Sequence, residues 1–219
     1  MKEALVEKTL KVIETISKME FVNSFFLVGG TALALQLNHR LSEDLDFMYW
    51  KKSKKEKQNI GIEKIKNELM QIFSISKVNI LGNNHVEIYI EEGVKLSFYV
   101  PDRIQPVIKP VKYLNNLILA DIDCIASLKL ELLLRRDEFR DYYDLFCIFK
   151  NKNSEDIKQI INNALKYSEH QLRTKNLIGM LSNSERFKHN VDFSQLLPKY
   201  SVTPKEIELF MMERMRELF

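Results

Sequence analysis

The stretch LVGGTALALQLNHRLSEDLDF, residues 27–47, decides the fold of this chain. Two adjacent glycines, Gly29 and Gly30, follow a short apolar run that is typical of a buried strand. Adjacent glycines allow the backbone to turn sharply and to approach a bound phosphate closely. Residues 31–38 are rich in helix formers, and residues 44–49 return to strand character. The stretch therefore predicts a strand, a turn, a helix and a second strand, with a phosphate cradle at the turn.

Two carboxylates near the end of this stretch predict a metal site. Asp44 and Asp46 are separated by one residue, and such positions on a strand point to the same side of a sheet. Magnesium prefers oxygen ligands and commonly lies between carboxylates and substrate phosphates. Thr31 and Ser42 offer hydroxyl groups in the same stretch, and Arg40 offers a cation that could face a phosphate.

Each of these features also has a less specific interpretation. A glycine pair before a helix often reflects close packing, and an isolated Asp-x-Asp is common on protein surfaces. His39 and Arg40 would also suit the C-terminus of a helix, where positive charge is favourable. The order of strand, glycine turn, helix and acidic strand is more specific than any one of them. That order favours phosphoryl or nucleotidyl transfer, which depends mainly on positioning and charge neutralisation.

The composition is that of a soluble globular protein with enough length for one large or two small domains. The chain has 219 residues, of which 45% are hydrophobic and 29% are charged, and its formal net charge is +3. This charge permits binding to nucleic acid without requiring it. Cys124 and Cys147 form no disulfide framework or metal-ligand spacing, and no apolar run approaches the length of a membrane span. We therefore expect a cytoplasmic protein with no membrane partner.

The remaining pattern predicts an α/β domain over residues 1–112 and a helical domain over residues 113–219. Residues 86–90 and 94–100 alternate apolar and polar side chains around a glycine turn, which predicts a hairpin. Pro101, Pro106 and Pro110 then mark the expected boundary. Helices are predicted over 118–134, 141–149 and 154–166, and Thr203 with Glu206 forms a capping-box pattern. The basic residues 51–57 suit either a solvated approach to a helix or a nucleic-acid-binding patch.

A second group of charged residues lies within DIDCIASLKLELLLRRDEFRDYYDLFCIF, residues 121–149. Lys129 and Arg136 are seven residues apart and so share roughly one helical face. Arg140 and Asp144 are four apart, which also fits an ordinary intrahelical ion pair. Because Lys129 is surrounded by apolar residues, it either extends to solvent or serves a site.

The two blocks together resemble the AbiEii/AbiGii nucleotidyltransferase toxin family of the DNA polymerase β-like superfamily. LVGGTALALQLNHRLSEDLDF is similar to the family's glycine-glycine-threonine, histidine-arginine and Asp-x-Asp signature. ASLKLELLLRRDEFRDYYDL, residues 126–145, is similar to its helix with Lys, Arg and Lys/Arg-Asp-x-x-Asp. Arg140 stands where the family commonly has lysine, which keeps the charge but changes the donor geometry. The resemblance spans roughly residues 21–149.

This resemblance implies an α+β fold, in which a polymerase β-like nucleotidyltransferase core with a mixed sheet precedes a helical C-terminal region. It implies Mg²⁺ and an NTP as cofactors, a cognate antitoxin as partner, and transfer of nucleotides to RNA, since some family toxins modify tRNA ends. Asp44 and Asp46 would bind metal, Lys129 would contact nucleotide phosphates, and Asp141 would act in catalysis or organise the site. Taken together, the sequence pattern and the resemblance predict seven nucleotide-binding residues: Gly29, Gly30, Thr31, Arg40, Ser42, Lys129 and Arg136.

One position departs from the superfamily pattern. Polymerase β-like enzymes usually carry a third carboxylate on a later strand, which here would be the strand 94–100. Its outward positions are Lys95, Ser97 and Tyr99, and Ser97 occupies the position expected for the acid. Two alternatives stay open: Glu87 on the neighbouring strand substitutes for the acid, or the third acid is dispensed with. Activation of the acceptor hydroxyl is the step that this difference affects.

The sequence thus predicts a metal-dependent nucleotidyltransferase, the toxin of a toxin–antitoxin pair, that transfers NMP from NTP to a tRNA-like acceptor. Two alternatives fit the same residues. One is a nucleotidyltransferase that acts on a small hydroxylated molecule. The other is a catalytically silent NTP-binding module, which the serine at position 97 suggests.

Overall fold

The computed structural model describes residues 4–49, 60–101, 109–187 and 191–219. The basic residues 51–57, predicted as a solvated approach or a nucleic-acid patch, lie outside these ranges. The chain divides into two compact units, Met1–Asp121 and Ile122–Phe219. The boundary lies later than the one predicted between residues 112 and 113, because two short strands after residue 110 still pair within the sheet of the first unit.

The described residues of the first unit form one sheet, three α-helices and a short 3-10 turn, Phe21–Ser24. Its helices are α1 (Glu7–Ile16), α2 (Gly29–Leu37) and α3 (Ile62–Met70). Its strands are β1 (Phe25–Val28), β2 (Leu45–Tyr49), β3 (Ile75–Gly82), β4 (His85–Ile90), β5 (Lys95–Tyr99), β6 (Val111–Leu114) and β7 (Leu117–Leu119).

The sheet is mixed, and its strand order is β3-β4-β5-β2-β1-β7-β6. The pairs β2·β5 and β1·β7 are parallel, whereas β1·β2, β3·β4, β4·β5 and β6·β7 are antiparallel. The predicted hairpin is therefore present as β4·β5. Strand β2 lies between β1 and β5, so both halves of the decisive stretch occupy the centre of the sheet.

Alternation along the central strands separates a polar face from an apolar face. Phe47 of β2 and Phe98 of β5 are fully buried and stack on each other with ring centroids 5.3 Å apart. Phe21 and Phe25 meet these rings edge-on. On each strand, the residues next to these phenylalanines point to the opposite face, because successive strand residues alternate sides. The aromatic core thus fixes which side of the sheet carries the polar residues.

Helix α2 has recognisable start and stop signals. It begins directly after β1 at Gly29, whose φ of +69° is a conformation that glycine adopts without steric cost. Asn38 ends it in the left-handed conformation with φ 47°, and its N–H donates to the carbonyl of Ala34 at 2.8 Å. The segment Thr31–Ala34 is buried, so the first turn of the helix is held against the sheet.

The second unit is helical, with α4 (Ile122–Leu132), α5 (Phe139–Lys150), α6 (Ser154–Tyr167), α7 (Thr174–Leu181) and α8 (Pro204–Leu218). Short 3-10 segments cover Ser184–Arg186 and Val191–Leu196. Helix α5 is the central one, because residues 141–149 are all buried and it packs against α4 and α8. Tyr142 stacks on Phe187 with ring centroids 3.7 Å apart.

Two sequence-based predictions in this region have clear outcomes. The helix predicted over 118–134 is wrong at its start, since Leu119 pairs with Leu27 in the sheet and the helix begins at Ile122. A short apolar run next to an asparagine turn forms a strand when a partner strand is available. The capping box of α8 is confirmed, with Thr203 and Glu206 bonded to each other's backbone N–H. Among the described residues, no helix is long and apolar enough to cross a membrane.

Candidate active site

The carboxylate of Asp46 lies directly against Gly29. Val28 and Asp46 are register partners in the antiparallel pair β1·β2, so the turn after β1 passes over the Asp46 side chain. A Cβ atom built on Gly29 would lie 2.4 Å from Asp46 Oδ2, a distance that side chains do not reach without displacement. Two observations thus favour glycine at position 29: its φ is positive, and the Asp46 carboxylate occupies the space of a side chain. The N-terminus of α2 and the acidic strand form one compact site.

The loop between α2 and β2 is held by buried polar contacts. Thr31 is fully buried, and its hydroxyl donates to the backbone carbonyl of Asp44 and lies 2.8 Å from Ser42 Oγ. Arg40 is also buried, and its Nη1 donates to the carbonyl of Leu41 at 2.8 Å. A Cβ on Gly30 would lie 2.6 Å from Arg40 Nη2. Thr31 and Ser42 therefore fix the loop, while a guanidinium group lies beside the first turn of α2.

Lys95 supplies a positive charge to the acidic face. Its Nζ lies 3.3 Å from Asp44 Oδ2 and 3.8 Å from Glu87 Oε1. Burial lowers the pKa of Lys95, but the attraction of Asp44 and Asp46 outweighs burial, so the pKa lies above its ordinary value. Both aspartates therefore stabilise the charged form of this ammonium group.

Strands β5 and β4 continue the polar face beyond Asp46. Asp46 is paired in register with Ser97, and Ser97 is paired with Glu87, so the three residues form a row across the strands. Ser97 Oγ lies 3.0 Å from Nε2 of His85, which stands two residues before Glu87 and so shares its face. The row is carboxylate, hydroxyl, carboxylate, with an imidazole next to the hydroxyl.

The Glu87 carboxylate is held by contacts with side chains of β3, β4 and β5. Its Oε2 accepts hydrogen bonds from the hydroxyl of Tyr89 at 2.9 Å and from Nδ2 of Asn79 at 3.3 Å. Burial raises the pKa of the Glu87 carboxyl, but these hydrogen bonds and the charge of Lys95 outweigh burial, and the pKa lies below its ordinary value. The carboxylate form is therefore favoured.

The donor set around Asp44 and Asp46 fits a magnesium ion. Magnesium is usually bound by one or two carboxylates together with substrate phosphates. A phosphate bound at the N-terminus of α2 would lie beside this pair, because the turn at Gly29 passes over the Asp46 carboxylate. Within the described ranges, no group of three or more His, Cys, Asp or Glu side chains is arranged to hold a metal.

The predicted site residues of the second unit form an ion cluster in which Lys129 and the aspartates are buried and Arg136 is exposed. Lys129 of α4 is 3% exposed, and its Nζ lies 2.8 Å from Asp141 Oδ1 and 2.7 Å from Asp144 Oδ2. Arg136 donates to Asp141 through Nε at 2.7 Å and Nη2 at 3.0 Å. Burial raises the pKa of Asp141, but Lys129 and Arg136 outweigh it and the pKa is lowered. Two buried carboxylates are thus balanced by the buried Lys129 and by Arg136, whose side chain is 41% exposed.

This cluster refines the sequence-based interpretation of the charged helix. Lys129 does not extend to solvent; it is the cation of the buried aspartates. Asp144 pairs with Lys129 on another helix, whereas Arg140 is exposed on α5. The roles predicted for Lys129, Arg136 and Asp141 in nucleotide binding and catalysis stay predictions, and the geometry adds that Asp141 organises both cations.

The first unit brings together the remaining predicted residues, Gly29, Gly30, Thr31, Arg40, Ser42, Asp44 and Asp46. Sequence reasoning did not single out His85, and it treated Lys95 only as an outward position of its strand. The signal for both was present in the hairpin alternation, which puts His85, Glu87 and Tyr89 on one face of β4. Register between strands, which decides their neighbours, is not visible in the sequence.

Comparison with known proteins identifies the family. The family model described as "Nucleotidyl transferase AbiEii toxin, Type IV TA system" matches residues 11–215, which is nearly the whole chain. This chain belongs to the AbiEii family. The family assignment confirms the resemblance seen in the two sequence blocks, and the AbiEii chain is accordingly a toxin-family nucleotidyltransferase.

Three further proteins resemble this AbiEii chain. An uncharacterized protein of Aquifex aeolicus is 28% identical over 160 residues, which cover 71% of this chain and 72% of the relative. MenT4, a nucleotidyltransferase toxin from Mycobacterium tuberculosis, has a TM-score of 0.60 at 16% identity, over 97% of this chain and 81% of its own. JHP933 from Helicobacter pylori has a TM-score of 0.54 at 20% identity, over 98% and 93%. The structural matches confirm the predicted α+β, polymerase β-like nucleotidyltransferase fold.

Proposed function

We propose that this protein transfers a nucleoside monophosphate from an NTP, in the presence of Mg²⁺, to a hydroxyl group of a tRNA-like RNA. The observation that supports it most strongly is the contact between Gly29 and Asp46, because a phosphate site and an acidic site coincide there. Family membership supports the action as a toxin, and it implies a cognate antitoxin encoded with the chain.

The first turn of α2 is suited to bind the triphosphate. The first backbone N–H groups of a helix have no intrahelical acceptor and carry partial positive charge, so they bind anions. Gly29 and Gly30 bring these groups beside the Asp46 carboxylate and the Arg40 guanidinium, and the guanidinium adds a full positive charge. Asp44 and Asp46 would hold the magnesium, which when bound neutralises phosphate charge during transfer.

An RNA acceptor is favoured over a small molecule by charge and by family. RNA is a polyanion whose affinity for proteins comes largely from Lys and Arg contacts to phosphates. The sequence carries basic residues at 51–57, and Arg135 and Arg136 are exposed on the helical unit. Family membership among toxins favours an acceptor in the translation apparatus over a small hydroxylated molecule.

The experiment is transfer of label from each α-labelled NTP to total tRNA with Mg²⁺, using the full-length chain. We expect labelled RNA from the wild type and a loss of at least about a hundredfold for Asp46→Asn, which keeps the side-chain shape but removes the charge. Glu92→Gln, an exposed acid in the β4·β5 turn, is the matched control and keeps full activity. Label on small hydroxylated acceptors alone would support the alternative enzyme, and NTP binding without any transfer would support the silent module.

A further inference from the structure

The position that usually carries a third carboxylate holds a serine in this protein, and a histidine faces that serine. Ser97 is 9% exposed and lies beside Asp46 in the parallel pair β2·β5. Adjacent residues in register point to the same face of a sheet, so the Ser97 hydroxyl is on the acidic face. His85 Nε2 lies 3.0 Å from that hydroxyl. An ionisable ring is thus held one strand away from where the acid would be.

The imidazole of His85 has a defined orientation. Its ring meets Tyr99 edge-on, with centroids 6.0 Å apart and an interplanar angle of 77°. Ser97 and Tyr99 are alternate residues of β5, and both lie on the face that His85 shares. Two neighbours therefore constrain the ring, one through its nitrogen and one through its edge or face. Such a fixed ring is suited to proton transfer, which depends first on geometry.

Glu87 is a poorer proton acceptor than its position suggests. Its carboxylate already accepts from Tyr89 and Asn79 and faces the ammonium of Lys95. Each of these contacts stabilises the ionised form, and a carboxylate stabilised in this way has less tendency to take up a proton near neutral pH. Histidine, by contrast, ordinarily titrates close to neutral pH and is the side chain most often used for this purpose.

We infer that His85, oriented by the Ser97 hydroxyl, accepts the proton of the acceptor hydroxyl group during nucleotide transfer. The acceptor oxygen forms a bond to the α-phosphorus of the NTP, and the bond from that phosphorus to the bridging oxygen breaks. Pyrophosphate leaves with the bonding electrons, and the acceptor proton moves to an imidazole nitrogen of His85. The inference rests on the proposed function and names the group that replaces the missing acid.

The charged surroundings of His85 set the direction of its pH response. Glu87 lies on its own strand, Lys95 and Tyr99 on β5, Asp46 on β2 with Asp44 just before it, and Lys77 on β3 opposite Tyr89. Only a neutral imidazole can accept a proton, so transfer should fall on acidification. A carboxylate at position 97 would remain active to lower pH, since aspartate titrates near 4.

The experiment compares the wild type with His85→Gln, Ser97→Asp and the double variant, as full-length chains with labelled NTP, Mg²⁺ and total tRNA. We expect His85→Gln to lower the transfer rate by about 10²–10⁴-fold with NTP binding unchanged by calorimetry. In the Ser97→Asp background, the same change should cost less than about tenfold, because the new carboxylate accepts the proton. His170→Gln, an exposed histidine of the helical unit, is the matched control.

The outcomes separate this inference from the proposed function. Transfer by His85→Gln at the wild-type rate would overturn the inference while leaving the nucleotidyltransferase activity in place. A wild type that labels no acceptor would overturn both. If His85→Gln proves unstable, Ser97→Asp alone decides: a shift of the acidic limb of the pH–rate profile to lower pH supports the inference, and an unchanged limb contradicts it.

Discussion

Gly29 and Asp46 are in contact across the antiparallel pair β1·β2, so closely that a methyl group on Gly29 would lie 2.4 Å from Asp46 Oδ2. The glycine turn and the acidic strand are separated in sequence by helix α2, but they form one site. The Asp46 carboxylate, which would bind metal, therefore depends on the absence of a side chain at position 29.

Replacing Gly29 by alanine should disable this site. Alanine is strained at a φ of +69°, and its methyl group would displace the Asp46 carboxylate. We expect a destabilisation of about 1–3 kcal/mol and a loss of transfer of at least about a hundredfold, since displacement of a reacting group by about 1 Å has that effect. Urea unfolding and the tRNA-labelling assay measure the two effects.

Gly179 gives the matched control for that substitution. It lies exposed in α7, and a Cβ added there meets no atom within 4 Å. Gly179→Ala should stabilise the protein by about 0.5–1 kcal/mol and leave transfer unchanged, because alanine is the better helix former. Equal effects of the two glycine substitutions would contradict the importance of the Gly29–Asp46 contact.

Removing Lys129 should destabilise the helical unit. Its ammonium is bound by Asp141 and Asp144, and Lys129→Met would remove the buried cation from both carboxylates while Arg136 still pairs with Asp141. Breaking a buried ion pair in this way costs about 3–5 kcal/mol. Denaturant unfolding followed by circular dichroism measures this loss, and Arg140→Ala, at an exposed position of α5, should stay within about 0.5 kcal/mol. If Lys129→Met changed the free energy of unfolding as little as Arg140→Ala, the ion pairs of Lys129 would not stabilise the helical unit.

Stability should fall on acidification through Asp141. Its pKa is lowered in the folded protein, so the unfolded chain binds the proton more readily. The stabilisation is fully present above the ordinary pKa of 3.8 and is lost as the pH falls from there towards the lowered value. Urea unfolding between about pH 2 and pH 5 should show a smaller decrease at the acidic end for Asp141→Asn than for the wild type. Asp137→Asn, at an exposed position, should keep the wild-type slope.

Removing the charge of Lys95 should strengthen binding of a divalent cation. The ammonium lies 3.3 Å from Asp44 and competes with a cation for the acidic face. We expect Lys95→Met to bind Mg²⁺ or Mn²⁺ about tenfold more tightly in the absence of nucleotide, because a repulsive charge is removed. Isothermal titration calorimetry measures this, with Lys112→Met on the edge strand β6 as control. Weaker binding would show that Lys95 holds the carboxylates in their binding geometry.

The cap of the last helix gives a prediction independent of the site. Thr203 accepts from the backbone N–H of Glu206, and Glu206 accepts from the backbone N–H of Thr203. Thr203→Ala should lower the free energy of unfolding by about 1 kcal/mol, as loss of an N-cap usually does. Ser201→Ala, at an exposed position nearby, is expected to have no measurable effect in the same denaturation experiment.

Much of the fold was predictable because it is encoded locally. The glycine turn, the hairpin β4·β5 and the cap at Thr203 each depend on a few adjacent residues. Strand β3 was not predicted, since Ile80 and Leu81 are both exposed and interrupt the alternation of a half-buried strand. The strand β7 was taken for helix because its three residues are too few to show a period.

The site was predictable only in its parts. The sequence identified Asp46 and the departure at Ser97, but not that His85 reaches the Ser97 hydroxyl. That contact depends on the register between β4 and β5, and a change of one residue in register would turn His85 to the other face. The pairing of Lys129 with Asp144 likewise depends on how α4 packs against α5. Such distances are set by tertiary packing, which single-sequence patterns do not contain.

The sheet order has a consequence for the time at which activity arises. Strands β1 and β2 are close in sequence and can pair early, so the Gly29–Asp46 contact is a local event. Ser97 reaches Asp46 only when β5 pairs in parallel with β2, after α3, β3 and β4 have been made, and His85 reaches Ser97 through the pairing of β4 with β5. Closing such a long loop is a late and slow step. The glycine turn and Asp46 can therefore come together before the row that contains Ser97 and His85 is complete.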